Sequence, residues 1–264
     1  MKNMISGERQ APESREVCRF LSEYCGRLLG HGATCLRMEK NVKRIADAYG
    51  KQAEITISPR HVHISILNQD KSEFVTAISS SSPCATSFDM ITRLSRLSWE
   101  IADDHIDLQS AWRKFRDISA EDRQNKWLVC ILVSFANMAF CRLFGGDAVA
   151  MCVVWCATFA GYCMKQYMLK QHVDIRLVVM VCAFVSSVLG ATDYLFSLGA
   201  TPALAVGTSI LYLVPGVPFL NSFSDILGRY YICSFSRFMD AVVLTVCLSV
   251  GLCAGMVVMK VGMF

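Results

Sequence analysis

The chain has 264 residues, of which 53% are hydrophobic and 18% are charged. This composition is too apolar for an ordinary soluble domain. The net charge of +4 is small, and no basic stretch is interleaved with aromatic residues, so a nucleic-acid partner is not expected.

The charged residues are concentrated in the first half of the chain. Residues 1–126 hold 19 Lys and Arg and 17 Asp and Glu, whereas residues 127–264 hold seven basic residues and five aspartates. Such a step in charge density indicates two solvents, water first and lipid second. We therefore predict a disordered lead over 1–12, a soluble domain over 13–126 and a transmembrane domain over 127–264.

The soluble part combines helical and strand patterns. Apolar residues recur at helical spacing in four segments, and period-two alternation marks a hairpin whose turn is Pro59-Arg60. Asp107 stands where the last of these helices needs an N-cap. The fold class is thus an α+β domain, with predicted helices over 13–29, 34–49, 88–101 and 108–118, and strands over 54–58, 61–66 and 73–78.

The apolar half predicts five transmembrane helices, the fourth ending in a Pro/Gly break. An odd number of spans places the two termini on opposite sides of the membrane. Basic residues are more frequent on the side that carries the soluble domain, which favours a cytoplasmic N-terminal domain and an external C-terminus. The predicted spans cover residues 127–144, 148–164, 175–191, 201–214 and 238–259, and residues 193–199 are predicted as a short loop.

The break after the fourth span is the first candidate for a substrate site or gate. Two prolines and a glycine interrupt the apolar run, and polar residues follow them. Broken helices that carry polar groups at membrane depth often line a substrate path. One interpretation makes Ser224 the N-cap of a short helix that binds a substrate carboxylate near Asp225; in the other, Asp225 merely caps a helix in a cytoplasmic loop. The residues concerned are Pro215, Gly216, Pro218, Asn221, Ser224 and Asp225.

Arg237 and Asp240 are a second candidate pair, at the predicted start of the fifth span. Their spacing of three places both on one helical face. The two side chains could pair with each other, or Arg237 could bind the substrate carboxylate. In the alternative interpretation, Arg237 only marks the membrane interface.

Metal and enzyme sites are not expected. His61 and His63 share one strand face, but a third and a fourth zinc ligand are lacking. Arg37 and Glu39, with residues 103–105, could form a polar cleft in the soluble domain. Because no nucleophile elbow, P-loop or zinc motif accompanies that cleft, a gate or docking surface is favoured over catalysis, and no cofactor is predicted.

Several short motifs, in order along the chain, resemble the threonine/serine exporter family. They are Gly32-Ala33-Thr34 with Arg37, Glu39, Val42, Ala46 and Gly50; Arg93 to Asp107 with Leu108 and Ala111; Gly145-Gly146; and Pro215-Gly216-Val217-Pro218 with Asn221, Asp225 and Arg237. The resemblance extends from about residue 13 to residue 259.

The resemblance implies a bacterial inner-membrane transporter. Full-length members have ten spans, so five spans imply the larger subunit of the split form, whose other half is a separate small five-span membrane protein. The family exports threonine and serine, and the split form exports succinate. A homo-oligomer is left open.

We therefore predict a subunit of a secondary exporter of small polar carboxylates, either threonine and serine or a C4 dicarboxylate such as succinate. With no nucleotide-binding motif, the driving force would be an ion or substrate gradient, and Asp225 and Asp240 are candidates for proton binding. The alternative is a membrane-anchored regulatory or scaffolding subunit whose soluble domain binds a metabolite or a partner.

Overall fold

The computed structural model describes residues 12–68, 74–81, 86–120, 125–196 and 199–261; the predicted lead over 1–12 lies almost entirely outside them. The chain folds into two compact units. The first unit combines residues up to Asp122 with Pro218–Phe238, and the second combines Arg123–Val217 with Met239–Phe264. The sequence predicts a single domain from residue 127 onward, whereas Pro218–Phe238 belong to the first unit of the structure.

Four amphipathic helices form in the first unit, as the apolar spacing predicts. They are α1 (Ser14–Gly30), α2 (Cys35–Ala48), α3 (Phe88–Asp103) and α4 (Leu108–Ala120). The Asp107 carboxylate accepts the N–H of Ser110 at 3.1 Å, which confirms the predicted N-cap of α4.

Three antiparallel strands follow α2, in the order β1-β2-β3, and they confirm the predicted sheet. They are β1 (Lys51–Ile57), β2 (His61–Asn68) and β3 (Phe74–Ser80). Alternate residues of β2, namely Val62, Ile64 and Ile66, are fully buried and belong to the core of this unit with the apolar faces of α1 to α4. Since the period of a strand is two, His61 and His63 lie on the opposite face.

The second unit is built from apolar helices. They are α5 (Lys126–Leu143), α6 (Ala148–Lys170), α7 (Ile175–Gly190), α8 (Thr192–Phe196) and α9 (Pro202–Ser209), followed by a 3₁₀ turn over Leu211–Leu213. Residues 193–199, predicted as a loop, are therefore partly helical. Asp193 lies in α8 with its side chain buried, and its Oδ1 accepts the N–H of Gly199 at 2.7 Å.

Two further helices cross the division between the units along the chain. They are α10 (Gly216–Leu227) and α11 (Tyr231–Val258). Helix α11 begins seven residues before the predicted fifth span, because its first turns belong to the first unit and Cys233 is buried in that unit's core. Within the second unit, α11 approaches α7 closely, because a Cβ added at Gly251 would clash with the Met180 carbonyl oxygen.

Four helices of the described residues are long and apolar enough to cross a membrane. The count rises to five if the bent pair Pro202–Leu213 and Gly216–Leu227 is one span. The predicted five spans are therefore an upper value. The count depends on the fourth predicted span, because Val214 and Pro215 separate its two helical parts. The second part also begins the segment that belongs to the first unit.

Gly32 provides a test of the turn between α1 and α2. Its φ of +82° lies in the left-handed region, and a Cβ there would approach Thr86 Oγ1 to 3.3 Å. We expect Gly32→Ala to lower the free energy of unfolding by about 1 kcal/mol or more, seen as a lower melting temperature of the full chain in detergent. The control is Gly207→Ala inside α9, where the new Cβ would have no described atom within 4 Å beyond its chain neighbours and the backbone of its own helix. Equal melting temperatures for the Gly32→Ala variant and the wild type would contradict the assignment.

Candidate functional site

The turn between α1 and α2 leaves one backbone N–H and two carbonyl groups without local partners. Gly32 and Ala33 close α1 by donating to the Leu29 and Leu28 carbonyl oxygens. Thr34 is the N-cap residue of α2, but its side chain makes no capping hydrogen bond. The first N–H of α2 and the carbonyls of residues 32 and 33 therefore need partners from elsewhere in the unit.

Asp225 of α10 supplies the missing cap of α2. Its Oδ1 accepts the Cys35 N–H at 2.9 Å, across 190 residues of sequence, and its side chain is fully buried. A carboxylate at a helix N-terminus is stabilised by the free N–H groups and by the helix dipole. Asp225 is thus a capping residue, but for a helix at the other end of the sequence.

Arg237 of α11 compensates the buried charge of Asp225. Its Nη1 lies 2.9 Å from Asp225 Oδ2, an ion pair without the alignment of a hydrogen bond. Its Nη2 donates to the Ala33 carbonyl oxygen at 2.7 Å. Because the attraction between opposite charges needs no strict alignment, the short distance establishes the pair.

Asn221 completes the set, since its Nδ2 donates to the Gly32 carbonyl oxygen at 2.8 Å. We call Asn221, Asp225 and Arg237 the Asp225 clamp. It binds three backbone groups of one turn, the carbonyls of Gly32 and Ala33 and the N–H of Cys35. Two of the motifs that carry the family resemblance, more than 180 residues apart, therefore meet in one hydrogen-bonded cluster of the first unit.

Two serines hold α10 and α11 together beside the clamp. Ser222 Oγ donates to the Ser234 carbonyl oxygen at 3.0 Å, and Ser234 Oγ donates to the Ser222 carbonyl oxygen at 2.9 Å. Both side chains are almost completely buried. Small residues at both positions allow the two backbones to approach, which fixes Asp225 relative to Arg237.

Tyr230 and Cys233 make further contacts with the N-terminal motif region. The Tyr230 hydroxyl donates to Glu39, and the Cys233 thiol donates to the Ile57 carbonyl oxygen at 3.2 Å. Burial, and then the hydrogen bond to Glu39, raise the pKa of Tyr230, so it stays a donor. The pKa of Cys35 is raised by its hydrogen bond to Cys233 and by burial, which keeps it a thiol.

The structure changes the predicted roles of several break residues. Pro215 is buried before α10, Gly216 begins α10, and Pro218 lies in its first turn. Ser224 is inside α10, so the proposed short helix with Ser224 as N-cap does not form. The helix start near Asp225 is that of α2 instead.

Arg237 and Asp240 do not stand at the start of a helix either. Arg237 lies in the second turn of α11 and pairs with Asp225, whereas the Asp240 side chain is exposed. The predicted pairing of Arg237 with Asp240 is therefore not observed, and binding of a substrate carboxylate by Arg237 stays a prediction.

The polar cleft predicted from Arg37, Glu39 and residues 103–105 is not assembled. Tyr49, at the far end of α2, donates to the Ile106 carbonyl oxygen, so residues 103–105 lie beside that end. Glu39 is ten residues earlier, about 15 Å along the helix. Within the described ranges, no group of three or more His, Cys, Asp or Glu side chains is arranged to hold a metal ion.

The second unit contains buried polar side chains between its helices. Asn137 Nδ2 donates to Thr158 Oγ1 at 3.0 Å, and Ser186 Oγ lies 2.9 Å from the Tyr212 hydroxyl. Ser209 Oγ donates to the Ser186 carbonyl oxygen at 3.0 Å. We call these five side chains the polar seam. Polar groups inside a membrane bundle commonly mark a substrate or ion path.

Lys165 lies beside the polar seam. The predicted second span ends at residue 164, but α6 continues to Lys170, so Lys165 is more than one turn inside the helix. Its Nζ is 5.8 Å and 5.9 Å from the ring centres of Tyr162 and Tyr212, near the limit of a cation–π contact. In the part of the chain that the structure describes, it makes no ion pair.

The family model of the threonine/serine exporter (ThrE) matches residues 19–259. The chain belongs to this family. The "Probable succinate transporter subunit YjjP" of Klebsiella aerogenes is 23% identical to it over 246 residues, which are 92% of this chain and 94% of the relative. The protein of the same name from Escherichia coli K12 is 24% identical over the same shares. No solved structure matches the chain.

The exporter family identifies a multi-pass membrane transport protein rather than an enzyme. Sequence reasoning found the motif residues but not their mutual contacts. It missed Tyr230, Cys233 and the Ser222–Ser234 pair as parts of the cluster. The available signal was the shared resemblance itself, because the Gly32-Ala33-Thr34 motif belongs to the same family pattern as the distant Asp225 and Arg237.

The ion pair can be tested with Asp225→Asn. This change leaves the partly buried Arg237 guanidinium without its counter-charge, which costs about 3 kcal/mol in comparable buried pairs. We expect a clearly lower melting temperature of the detergent-solubilised chain. Asp240→Asn, at an exposed position on the helix of Arg237, is the control. An unchanged melting temperature of the Asp225→Asn variant would show that the pair does not stabilise the fold.

Glu39 predicts an acid-dependent loss of stability. The Lys43 ammonium, at 2.6 Å, and then the Tyr230 hydroxyl lower the pKa of Glu39. A lowered pKa in the folded state gives stability that is present above the unfolded pKa of about 4.3 and is lost as the pH falls through the folded pKa. Glu39→Gln should therefore flatten the decline of the melting temperature below about pH 5. Asp47→Asn, exposed on the same helix, should leave the decline unchanged. An equal decline in both variants would contradict the lowered pKa of Glu39.

Proposed function

We propose that the protein is one subunit of a secondary exporter that carries small carboxylates, either a C4 dicarboxylate such as succinate or threonine and serine. The observation that carries the proposal is the family match over residues 19–259, which includes both units. Two relatives, each covered over 94% of its length, are named "Probable succinate transporter subunit YjjP". Up to five candidate spans support a transmembrane path.

The word "subunit" in the relatives' name supports a second component. We propose that this partner is a small five-span membrane protein that supplies the other half of the path. The excess of basic residues beside the first unit supports a cytoplasmic first unit and an external C-terminus in the bacterial inner membrane.

We propose that the Asp225 clamp is a gate element. A helix N-terminus and an arginine form an anion site, and in this structure the protein's own carboxylate occupies it. A substrate carboxylate that competed for Arg237 would release Asp225 and free the turn between α1 and α2. The break residues Pro215, Gly216 and Pro218 would allow α10 to move.

Lys165 and the polar seam are the proposed path through the second unit. A carboxylate that crosses an apolar bundle needs a cation and hydrogen-bond donors, because an unpaired charge is costly there. Lys165 provides the cation, while the hydroxyls of Ser186 and Tyr212 provide donors.

Efflux of labelled succinate from proteoliposomes that contain this chain and its partner tests the proposal. We expect Lys165→Gln to reduce the rate about tenfold or more, since it removes the charge that compensates the carboxylate. Lys170→Gln, at an exposed position at the end of the same helix, should keep the wild-type rate. Competition by unlabelled threonine, serine and succinate identifies the substrate.

The second candidate function is a regulatory subunit whose first unit binds a metabolite. The observation that favours it is the separate hydrophobic core of the first unit. Unchanged efflux in Lys165→Gln, together with loss of efflux in variants of the first unit alone, would replace the exporter-path proposal with this one.

A further inference from the structure

An open cleft between α2 and α3 of the first unit concentrates positive charge. Its volume is about 550 Å³, within the usual range for small-molecule sites. Three cations line it from α2, at spacings of three and four residues that place them on one helical face. The side chains that the argument uses are Arg37, Lys40, Arg44, Thr92, Ser95 and Trp99.

Two of the three cations are not engaged by the protein itself. Arg37 and Lys40 are exposed and form neither hydrogen bonds nor ion pairs with any residue described in the structure. Their neighbour Lys43 differs, because it pairs with Glu39. Arg37 and Lys40 are therefore available to a ligand, whereas Lys43 is already neutralised.

Arg44 is held in a fixed position at the cleft. Its Nη1 donates to Ser98 Oγ at 2.7 Å and to Asn41 Oδ1 at 3.1 Å. Its guanidinium lies 3.5 Å from the centre of the Trp99 ring. Asn41 is itself almost fully buried and anchored to Tyr24. This cation is thus pre-organised by buried groups, which lowers the entropic cost of binding an anion.

The charges of the cleft discriminate between the two substrate classes. No Asp or Glu of the described chain lines it; its remaining polar groups are the hydroxyls of Thr34, Thr92 and Ser95 and the amide of Asn41. A zwitterion such as serine or threonine brings an ammonium group, which three cations repel. A dicarboxylate brings two negative charges, each of which can meet an arginine or a lysine.

We propose that this cleft is a binding site for a small dicarboxylate. Arg37 and Lys40 are the residues that bind its carboxylates, and Arg44 is a cation held in a fixed position beside them. This inference rests on the proposed function, because it names the substrate class of the same exporter. The site begins at Thr34, immediately beside the Cys35 N–H that Asp225 caps. A bound dianion at the start of α2 competes electrostatically with Asp225 for the same helix terminus, so binding weakens the clamp.

Isothermal titration calorimetry on the full chain in detergent tests the site. The ligands are succinate, serine and inorganic phosphate, and the variant is the double change Arg37→Gln with Lys40→Gln. Both positions are exposed, so the fold should be retained, which the melting temperature verifies. The matched control is Arg96→Gln on α3, an exposed arginine that does not line the cleft.

The wild type and Arg96→Gln should bind succinate with equal affinity, and both should bind serine at least about tenfold more weakly. The double variant should bind succinate about tenfold or more weakly than the wild type, as expected for lost charge-assisted contacts. Unchanged succinate affinity in the double variant overturns the proposal, and so does serine binding as tight as succinate binding. Tighter binding of phosphate than of succinate also overturns it, because the site would then recognise phosphate. These outcomes are independent of efflux, so failure of the transport proposal is seen separately.

Discussion

The buried ion pair between Asp225 and Arg237 is the interaction on which the arrangement of the first unit depends. Removing two charges from water is costly, and the cost is offset only if each charge finds further partners. Here Asp225 also accepts the Cys35 N–H, and Arg237 also donates to the Ala33 carbonyl. The pair therefore stabilises the fold only while α10, α11 and the turn before α2 are together.

That dependence involves two helices whose residues are divided between the two units along the chain. Helix α11 carries Arg237 and continues without interruption to Val258, and α10 carries Asp225 directly after the Pro215 break. Any displacement of either helix along its axis would separate charged groups that are now 2.9 Å apart. Such a displacement would leave the buried Asp225 carboxylate without its counter-charge, so the pair opposes movement of either helix.

Local patterns predicted the elements well and their distant contacts poorly. The apolar spacing of α1 and the alternation of β2 follow from burial of one face, which sequence alone reveals. The role of Asp225 does not follow from local patterns. A local pattern assigns a cap to the helix nearest in sequence, and Ser224 is a residue type that commonly begins a helix. A partner 190 residues away is set by tertiary packing of α10 on the first unit, for which periodicity gives no signal. The predicted second span stops at residue 164 because a lysine is typical of a loop. The aliphatic stem of Lys165 can nevertheless pack along apolar surface, so α6 continues past it.

Helix α2 carries two sites for carboxylates, one buried at its start and one exposed to solvent in the cleft along its length. At the start of α2, the anion is the protein's own Asp225, which has no exposed surface. In the cleft along the same helix, Arg37 and Lys40 face solvent and are unpaired among described residues. One helix thus presents an occupied anion site and a free cationic surface within a single turn of each other. An anion in the cleft and the Asp225 carboxylate both act on the N-terminus of α2. Anion binding and formation of the ion pair are therefore thermodynamically coupled, and each changes the free energy of the other by the same amount.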